Sequence, residues 1–202
     1  MITWGWTGMS HDASLAVFSD KGLEFAAHSE RYSRIKNDKN LNQSIIDEAL
    51  EFGKPNKIFF YEKPWLKKTR QLYAKQYTLL KKESPTTYIR NFIKDAPKCT
   101  TTSHHLGHSA YAYYTGPWHK ALILVIDSIG EWETVSIWEG NDGKLRKLWS
   151  QKYPDSIGIW YSAMTQRIGL KPQEHEYILM GMAAVGDPNR LYKDIKNDFI
   201  DN

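Results

Sequence analysis

The feature that most constrains the fold of this chain is an apolar run at residues 121–126 (ALILVI), which is followed at once by Asp127. Such a run predicts a buried β-strand. Active groups in α/β folds gather at the carboxyl ends of strands, so Asp127 is a candidate active-site acid. Shorter strand, hairpin and helix patterns alternate before and after the run. This order predicts an α/β protein with a mixed sheet flanked by helices.

Composition narrows the class of protein. The chain has 202 residues, of which 25% are charged and 41% hydrophobic, as expected for one globular domain or two small lobes. It contains neither a run of about 18 apolar residues nor a secretory signal pattern, so no membrane association is expected. Cys99 is the single cysteine, which excludes a disulfide framework and a cysteine metal cluster. We expect a cytoplasmic protein, in the host cytoplasm if a phage encodes it.

The sharpest local pattern is the histidine cluster at residues 104–108 (HHLGH), which holds three of the seven histidines. On a helix, His104 and His108 are four residues apart and share a face, the geometry needed to bind one metal ion. Asp127 is the expected carboxylate ligand. The alternative is a pair of histidines that face solvent.

Four further segments carry polar or small residues in patterns that chemistry uses. His11 beside Asp12 suits a general base, but also an ordinary turn. The sequence DSIGE at 127–131 suits a phosphate-binding turn, although an ordinary tight turn is the better explanation if the segment is taken alone. The cations of 29–38 (SERYSRIKND) suit an anionic substrate, although a solvated loop is the usual explanation of such a segment. Small residues in 174–186 let a helix pack closely against a nucleotide or another helix.

A basic and aromatic segment at residues 63–94 allows two interpretations. Lys67, Lys68 and Arg70 could contact nucleic-acid phosphates while nearby aromatic residues stack on bases. The favoured alternative is an amphipathic helix, running to about residue 82, whose aromatic residues face the core and whose lysines face water.

Taken together and in order, these segments resemble the N-terminal part of the O-carbamoyltransferases of the nodulation and antibiotic-tailoring type, which are related to the tRNA threonylcarbamoyl transferases. The stretches that carry the resemblance are GMSHDAS, SERYSRIKND, HHLGH, VIDSIGE, YPDSIGIWYSAMTQRIG and EYILMGMAAVG. The resemblance implies an actin/hexokinase/Hsp70-like (ASKHA) lobe. It also implies that ATP and carbamoyl phosphate give carbamoyladenylate, whose carbamoyl group passes to an acceptor hydroxyl at an iron (Fe²⁺) or other divalent metal site.

The resemblance also implies roles for individual residues. His11 matches the proton acceptor, Lys36 matches the lysine that meets the nucleotide, and His104, His108 and Asp127 match metal ligands. The segments that match the nucleotide cleft contain Gly130, Glu131, Ser156, Gly181 and Gly186. Asp127 is assigned to the nucleotide cleft as well as to the metal.

Family members are longer than this chain, so residues 1–202 are expected to form the first lobe of the transferase domain. We expect a second polypeptide to supply the second lobe and the domain that makes carbamoyladenylate. The expected acceptor is a small molecule such as a sugar, or a hydroxymethylated pyrimidine nucleotide, with DNA as a further alternative. Two other functions remain open: a noncatalytic nucleotide- or partner-binding module, and a metal-dependent hydrolase.

Overall fold

The computed structural model describes residues 1–10, 12–77 and 83–199. They form eight strands, eight helices and the loops between them. The strands are β1 (Thr3–Thr7), β2 (Ser14–Ser19), β3 (Gly22–His28), β4 (Lys57–Phe60), β5 (Cys99–Thr101), β6 (Lys120–Gly130), β7 (Glu133–Asn141) and β8 (Lys144–Lys152). The helices are α1 (Glu30–Ser33), α2 (Gln43–Glu51), α3 (Pro64–Tyr73), α4 (Pro85–Arg90), α5 (His104–Tyr114), α6 (Ile157–Arg167), α7 (Glu176–Ala183) and α8 (Tyr192–Phe199).

The first sheet is mixed and has the strand order β3-β2-β1-β4-β5. Strands β1, β2 and β3 form an antiparallel meander, while β4 lies parallel to β1 and β5 lies parallel to β4. The loops that follow β1, β4 and β5 therefore leave the sheet at one edge, the carboxyl edge of its parallel strands. The predicted α/β class, with a mixed sheet flanked by helices, is confirmed.

The main core lies on one face of this sheet. Alternation along β1 turns Trp4 and Trp6 inward, where they are fully or almost fully buried. Helix α2 packs Ile45 and Ile46 against them, and Asn42 caps this helix by accepting a hydrogen bond from the Ile45 backbone N–H. Tyr88 stacks on Trp6 and brings α4 to the same core.

The second sheet is a separate antiparallel meander, β6-β7-β8. The stretches 135–138 and 145–149, separated by the turn residues GNDG at 140–143, predict a hairpin, which is confirmed and is longer than expected. One face of the meander packs Ile123 and Val125 against Tyr113 of α5. On the other face Leu122 and Leu124 are 73% and 59% exposed. The prediction of a wholly buried strand here is therefore wrong, because β6 is an edge strand that is covered on one face.

Helix α3 also differs from the expectation. It ends at Tyr73, and residues 78–82 of the helix predicted to reach residue 82 lie outside the described residues. Trp65, Tyr73 and Tyr77 are exposed, whereas Arg70 is buried. The prediction that the aromatic residues face the core and the cations face water is wrong at these positions, because the inner side of α3 packs on polar loops at the edge of the sheet.

The sequence pattern of the last fifty residues predicts helices near residues 158–169, 176–185 and 190–199, and the structure has them as α6, α7 and α8. Helices α7 and α8 bury none of their residues among the described part of the chain. No helix in residues 1–10, 12–77 and 83–199 combines the length and the apolar character that crossing a membrane requires.

Candidate metal and nucleotide site

The centre of the candidate site is the first turn of α5. The helix begins at His104, as predicted, and the i, i+4 spacing places His104 and His108 on one face. Their Nε2 atoms lie 3.0 Å apart. Two nitrogen donors from one helix therefore point at the same place.

Strand β6 brings Asp127 to the same point. Its Oδ2 lies 2.9 Å from Nε2 of His104 and 4.0 Å from Nε2 of His108. The backbone N–H of Ser128 donates to Oδ1 at 2.6 Å and fixes the orientation of the carboxylate. The structure thus brings together the three residues predicted as metal ligands, with donor atoms within 4.8 Å of one another.

The protonation of these groups suits a cation. Burial raises the pKa of the Asp127 carboxyl, but the hydrogen bond and charge of His104 outweigh burial and bring it to about 2. Burial, followed by the charge of His104, lowers the pKa of His108. At neutral pH the carboxylate is therefore ionised, and His108 keeps a nitrogen lone pair for a ligand bond.

The donor set fits a divalent transition metal. Two imidazole nitrogens and one carboxylate oxygen with open positions are typical of non-haem Fe²⁺ sites. Two Nε2 atoms 3.0 Å apart have room for only one proton between them, and Nε2 of His104 also faces the Asp127 carboxylate at 2.9 Å, so a shared cation would satisfy all three atoms at once. Nδ1 of His104 is buried without a hydrogen-bond partner among the described residues, so the outer shell of this ligand is incomplete there.

His105, whose role the sequence left open, is a structural residue in this arrangement. It is fully buried, and its Nδ1 lies 2.7 Å from Oγ of Ser136 on β7. The indole N–H of Trp138 donates to the same Oγ, which leaves the hydroxyl proton for His105. Burial lowers the pKa of His105, so a neutral ring anchors α5 to the second sheet.

Gly130 and Glu131, predicted to lie in a nucleotide-binding turn, pack against the histidine cluster. A Cβ at Gly130 would lie 2.5 Å from Cδ2 of His104, closer than real atoms approach. The Glu131 carboxylate is buried and accepts hydrogen bonds from the backbone N–H groups of Lys63 and His104. Burial raises its pKa. Both residues hold the site together, and their contact with a nucleotide stays a prediction.

The helix that follows the second sheet also approaches Asp127 closely. Ser156 caps α6 by accepting from the Ile159 N–H at 3.0 Å, and its hydroxyl donates to the Ser128 carbonyl at 2.6 Å. A Cβ at Gly158 would lie 2.6 Å from Cα of Ser128. A glycine is therefore required where α6 crosses the backbone beside the candidate ligand.

The loop that carries Lys36 contacts α7, the helix that contains Gly181 and precedes Gly186. The Lys36 ammonium lies 3.3 Å from the Tyr177 hydroxyl and 4.7 Å from the centre of its ring. Gly181 and Gly186 are exposed, and a Cβ at Gly181 would meet no described atom within 4 Å. Close packing of Gly181 against another helix is thus not seen within the described part of the chain, and its contact with a nucleotide stays a prediction.

His11, the predicted general base, lies outside the described residues. Ser10, which precedes it in the sequence, is in contact with a residue that the sequence did not assign to the site. Lys67 donates to both Ser10 and the buried Glu62, and the ring of Tyr61 meets the ring of His104 at 5.4 Å. The position of residues 61 and 62 directly after a strand was the available signal, because strand ends carry functional groups.

Comparison with known proteins gives a family match. Residues 61–201 match the family model described as Carbamoyltransferase N-terminus. An uncharacterized protein of Synechocystis is 30% identical over 88% of this chain and 34% of its own length. The nodulation protein NolNO of Sinorhizobium fredii is 24% identical over 88% of this chain and 28% of its own length. The chain therefore spans about a third of these curated relatives.

Among solved structures, two of the Ppx/GppA protein family from Aquifex aeolicus align with 98% of this chain and with 62% and 64% of their own. Their identities are 15% and 12%, and their TM-scores are 0.38 and 0.39. The sequence match covers more than half of the chain and includes the helix and the strand that carry the three candidate ligands. This chain belongs to the carbamoyltransferase family, of which it carries the N-terminal domain.

Proposed function

We propose that this chain is the metal-binding part of an ATP-dependent O-carbamoyltransferase. Carbamoyl phosphate and water give carbamate and phosphate, carbamate and ATP give carbamoyladenylate and pyrophosphate, and an acceptor hydroxyl then takes the carbamoyl group. In this transfer the acceptor oxygen forms a bond to the carbonyl carbon, the bond from that carbon to the adenylate oxygen breaks, and AMP leaves. The observation that carries the proposal is the convergence of His104, His108 and Asp127 in a chain of the carbamoyltransferase family.

His104, His108 and Asp127 would hold Fe²⁺ or another divalent cation. When bound, such a metal acts as a Lewis acid that polarises the carbamoyl carbonyl. The residues of the chain contribute the placement: α5 fixes both imidazoles, and the Ser128 N–H orients the Asp127 carboxylate. Three protein ligands leave coordination positions for substrate.

Two further residues are assigned roles in the transfer. His11 takes the proton of the attacking hydroxyl, for which a neutral imidazole is suited near pH 7. Lys36 offsets nucleotide phosphate charge, and its contact with Tyr177 supports this role because it joins a cation and an exposed aromatic ring at one position. The remaining nucleotide-side assignments, Gly130, Glu131, Ser156, Gly181 and Gly186, are proposed on the family resemblance.

We assign the acceptor to hydroxyl compounds of the sugar type or to a hydroxymethylated pyrimidine nucleotide. DNA as acceptor finds less support at α3. Lys67 is paired with Glu62 and Arg70 is buried, so neither cation extends into solvent to meet a long phosphate backbone. Lys68 and Trp65 of the same helix are exposed.

A second lobe, from another polypeptide, is proposed to cover the second sheet. The apolar face of β6 at Leu122, Leu124 and Ile126 is exposed, and a contiguous apolar surface of this kind is typical of an interface. The topology supports the same conclusion. In the first sheet, the first strand of the meander (β1) pairs in parallel with a further strand, β4. In the second sheet, the first strand of the meander (β6) has no such partner among the described residues, so its edge is available to a strand of the proposed lobe.

Metal binding and transfer are tested separately. Anaerobic titration with Fe²⁺, and with Co²⁺ as a coloured substitute, is expected to give one site in the wild type and none in H104A, H108A or D127N. His119 is an exposed histidine outside the cluster, so H119A is the matched control and should bind normally. Failure of all three variants to weaken binding would exclude these ligands.

Transfer is measured by mass spectrometry of candidate acceptors, incubated with carbamoyl phosphate, ATP, Fe²⁺, the chain and the protein encoded by a neighbouring gene. The expected product is an acceptor that has gained one carbamoyl group, formed only with ATP. Turnover of carbamoyl phosphate with water as the acceptor and without ATP would identify a hydrolase instead. Binding of metal and nucleotide with no turnover of any acceptor would identify a noncatalytic module.

A further inference from the structure

A polar cluster beside the candidate metal site joins two parts of the chain that are distant in sequence: the loop after β1, and the segment from the end of β4 into α3. The Lys67 ammonium, on α3, lies 2.9 and 3.0 Å from the two carboxylate oxygens of Glu62. The same nitrogen donates to Oγ of Ser10 at 2.9 Å. Ser10 belongs to the loop after β1, and Glu62 lies between β4 and α3. We call Ser10, Glu62 and Lys67 the Lys67 cluster.

The cluster is largely removed from solvent. The side chains of Lys67 and Glu62 are 16% and 8% exposed. Burying an ion pair costs desolvation energy that the mutual attraction of the charges often fails to recover, and an apolar pair of similar volume serves stability as well or better. The hydrogen bond that this pair makes to another segment is therefore the part of the arrangement that needs a separate explanation.

That hydrogen bond ends on a loop with an unusual backbone. Met9 and Asp12 have φ angles of 65° and 42°, in the left-handed region that non-glycine residues rarely adopt. Backbone hydrogen bonds hold the two ends of the loop: the Met9 N–H donates to the Lys39 carbonyl and the Ala13 N–H donates to the Asp38 carbonyl, both at 2.7 Å. These bonds fix one side of the loop, and Lys67 supplies a contact from the side of α3.

The cluster also adjoins the candidate ligands. Tyr61 precedes Glu62 in the chain, and its ring meets the ring of His104 at a centroid distance of 5.4 Å. The backbone N–H of Lys63, which follows Glu62, donates to Glu131. The segment that carries Glu62 is thus in contact with α5 and with the turn after β6, while Lys67 reaches the loop after β1.

We infer that Lys67 is a positioning residue: it holds Ser10, the residue that precedes the proposed base His11 in the sequence, in register with the metal ligands of α5. Glu62, which accepts from the same ammonium with both carboxylate oxygens, keeps the lysine aimed at Ser10. The kinetic part of this inference rests on the proposed transferase function. The loop-holding part stands on the contacts of Ser10, Glu62 and Lys67 alone.

The test separates the hydrogen bond from the ion pair. Ser10→Ala removes the hydroxyl that accepts from Lys67 and that also makes a hydrogen bond with Tyr61, while it leaves the Glu62–Lys67 ion pair in place. The double variant Glu62→Met/Lys67→Met removes the charges together, so that no unpaired charge stays buried and the fold is retained. Lys54→Met is the control, because Lys54 is an exposed lysine just before β4, at the opposite end of that strand from Glu62. The triple variant completes the cycle.

The expected kinetic result is a fall in kcat of about tenfold to a hundredfold for both the serine variant and the double variant, as for a modest misplacement of a reacting group. KM for ATP, the thermal midpoint and Fe²⁺ affinity should stay close to wild type, and so should every property of Lys54→Met. The triple variant should lose no more activity than either parent, because all of them break the same hydrogen bond. Full additivity of the losses would overturn the inference.

A readout that needs no activity accompanies the kinetics. Hydrogen exchange at the Met9 and Ala13 amides should rise about tenfold in Ser10→Ala and in the double variant, but not in Lys54→Met. If the wild type carbamoylates no acceptor, the proposed function fails and the loop-holding part is still decided by exchange. If the wild type is active while both variants keep its kcat and its exchange rates, the proposed function stands and the inference fails.

Discussion

At the scale of single residues, the candidate site depends on close approach as much as on its ligands. Gly130 lies where any side chain would enter the space of two histidine rings, with Cδ2 of His104 at 2.5 Å and Cδ2 of His105 at 2.9 Å from an added Cβ. One ring belongs to a candidate ligand and the other anchors the helix. Size at this position therefore controls the placement of α5 over β6.

We expect Gly130→Ala to destabilise the chain by about 1–3 kcal/mol, the usual cost of overpacking, and to weaken Fe²⁺ binding about tenfold. Thermal unfolding and anaerobic titration measure the two effects. Gly181→Ala is the matched control, since an added Cβ there meets nothing described within 4 Å. It should gain about 0.5–1 kcal/mol from helix propensity and leave metal affinity unchanged. Equal effects of the two variants would contradict this account.

A second residue-scale prediction concerns pH. Glu133 on β7 is buried and paired with Lys147 on β8. Burial raises the pKa of Glu133, but the hydrogen bonds from Lys147 and Ser150 and the charge of Lys147 outweigh burial and lower it below the ordinary 4.5. A lowered pKa in the folded state stabilises the fold above the unfolded pKa, and this contribution is lost as the pH falls through the folded pKa.

Glu133→Gln is therefore expected to cost about 1–2 kcal/mol at pH 7, with the partial exposure of Lys147 already discounted. The difference from wild type should shrink as the pH falls below 4.5. Urea unfolding at several pH values gives both quantities. Glu139→Gln removes a more exposed ion pair, with Arg146, from the same hairpin and should show a much smaller pH-dependent difference.

At the scale of elements, the N-cap residue of α6, Ser156, connects this helix to the candidate site. The Ser156 hydroxyl caps the helix at Ile159 and donates to the Ser128 carbonyl, next to Asp127. Ser84 is a matched cap, which accepts from the Thr87 N–H of α4 at 3.0 Å away from the ligands. The two caps differ because, within the part of the chain that the structure describes, only Ser156 also donates to Ser128, the residue beside the Asp127 carboxylate.

Ser156→Ala and Ser84→Ala should each cost about 1 kcal/mol in the free energy of unfolding, because each removes a helix cap. Only Ser156→Ala should also weaken Fe²⁺ binding, by several-fold, because the Ser128 backbone that orients Asp127 loses its contact. Denaturant unfolding and metal titration of the two variants make the comparison. A loss of metal affinity of the same size in Ser84→Ala would show that the effect is merely one of stability.

These elements also show what the sequence could reveal. The i, i+4 histidines, the capping residue Asn42 before an apolar pattern, and the glycine-containing turn between β7 and β8 are local patterns, and each predicts the element in which it is found. The three ligands were predicted from spacing and from a strand end. The partial burial of Lys67 and the exposure of Trp65 were not predicted. A helical pattern shows which residues share a face, but it does not show which loop packs against that face or whether the loop supplies a carboxylate. The edge position of β6 depends on sheet order, which no local pattern encodes.

At the scale of the whole molecule, the two sheets share one meander topology among the described residues, but the second sheet has two strands fewer than the first. Two three-stranded antiparallel meanders occur, β1-β2-β3 and β6-β7-β8, and the first is extended by two parallel strands. No repeat is visible in the sequence, because the meander requires only alternation and turns. Helix α3 links the two sheets, since Thr69 accepts from the Trp132 indole N–H and Tyr73 packs against Trp132.

If a second lobe covers the exposed face of β6, substitutions on that face should weaken association with the lobe, whereas substitutions on the buried face should reduce the stability of this chain. Leu122 and Leu124 are 73% and 59% exposed, whereas Ile123, between them, is 7% exposed. Leu122→Gln/Leu124→Gln should leave the free energy of unfolding of this chain almost unchanged, because few contacts are lost. Ile123→Ala should cost about 2–4 kcal/mol, because it leaves a cavity in the packing against α5.

Association with the lobe should show the reverse. Binding of this chain to the partner, followed by calorimetry, should weaken at least tenfold in the double glutamine variant, because apolar area at an interface core carries much of the affinity. Ile123→Ala, compared at a temperature where it remains folded, should bind nearly as wild type. A glutamine variant that binds the partner with undiminished affinity would place the interface elsewhere. The exposed apolar face of β6 would then need a different occupant, because an apolar surface of this kind on an isolated sheet favours aggregation.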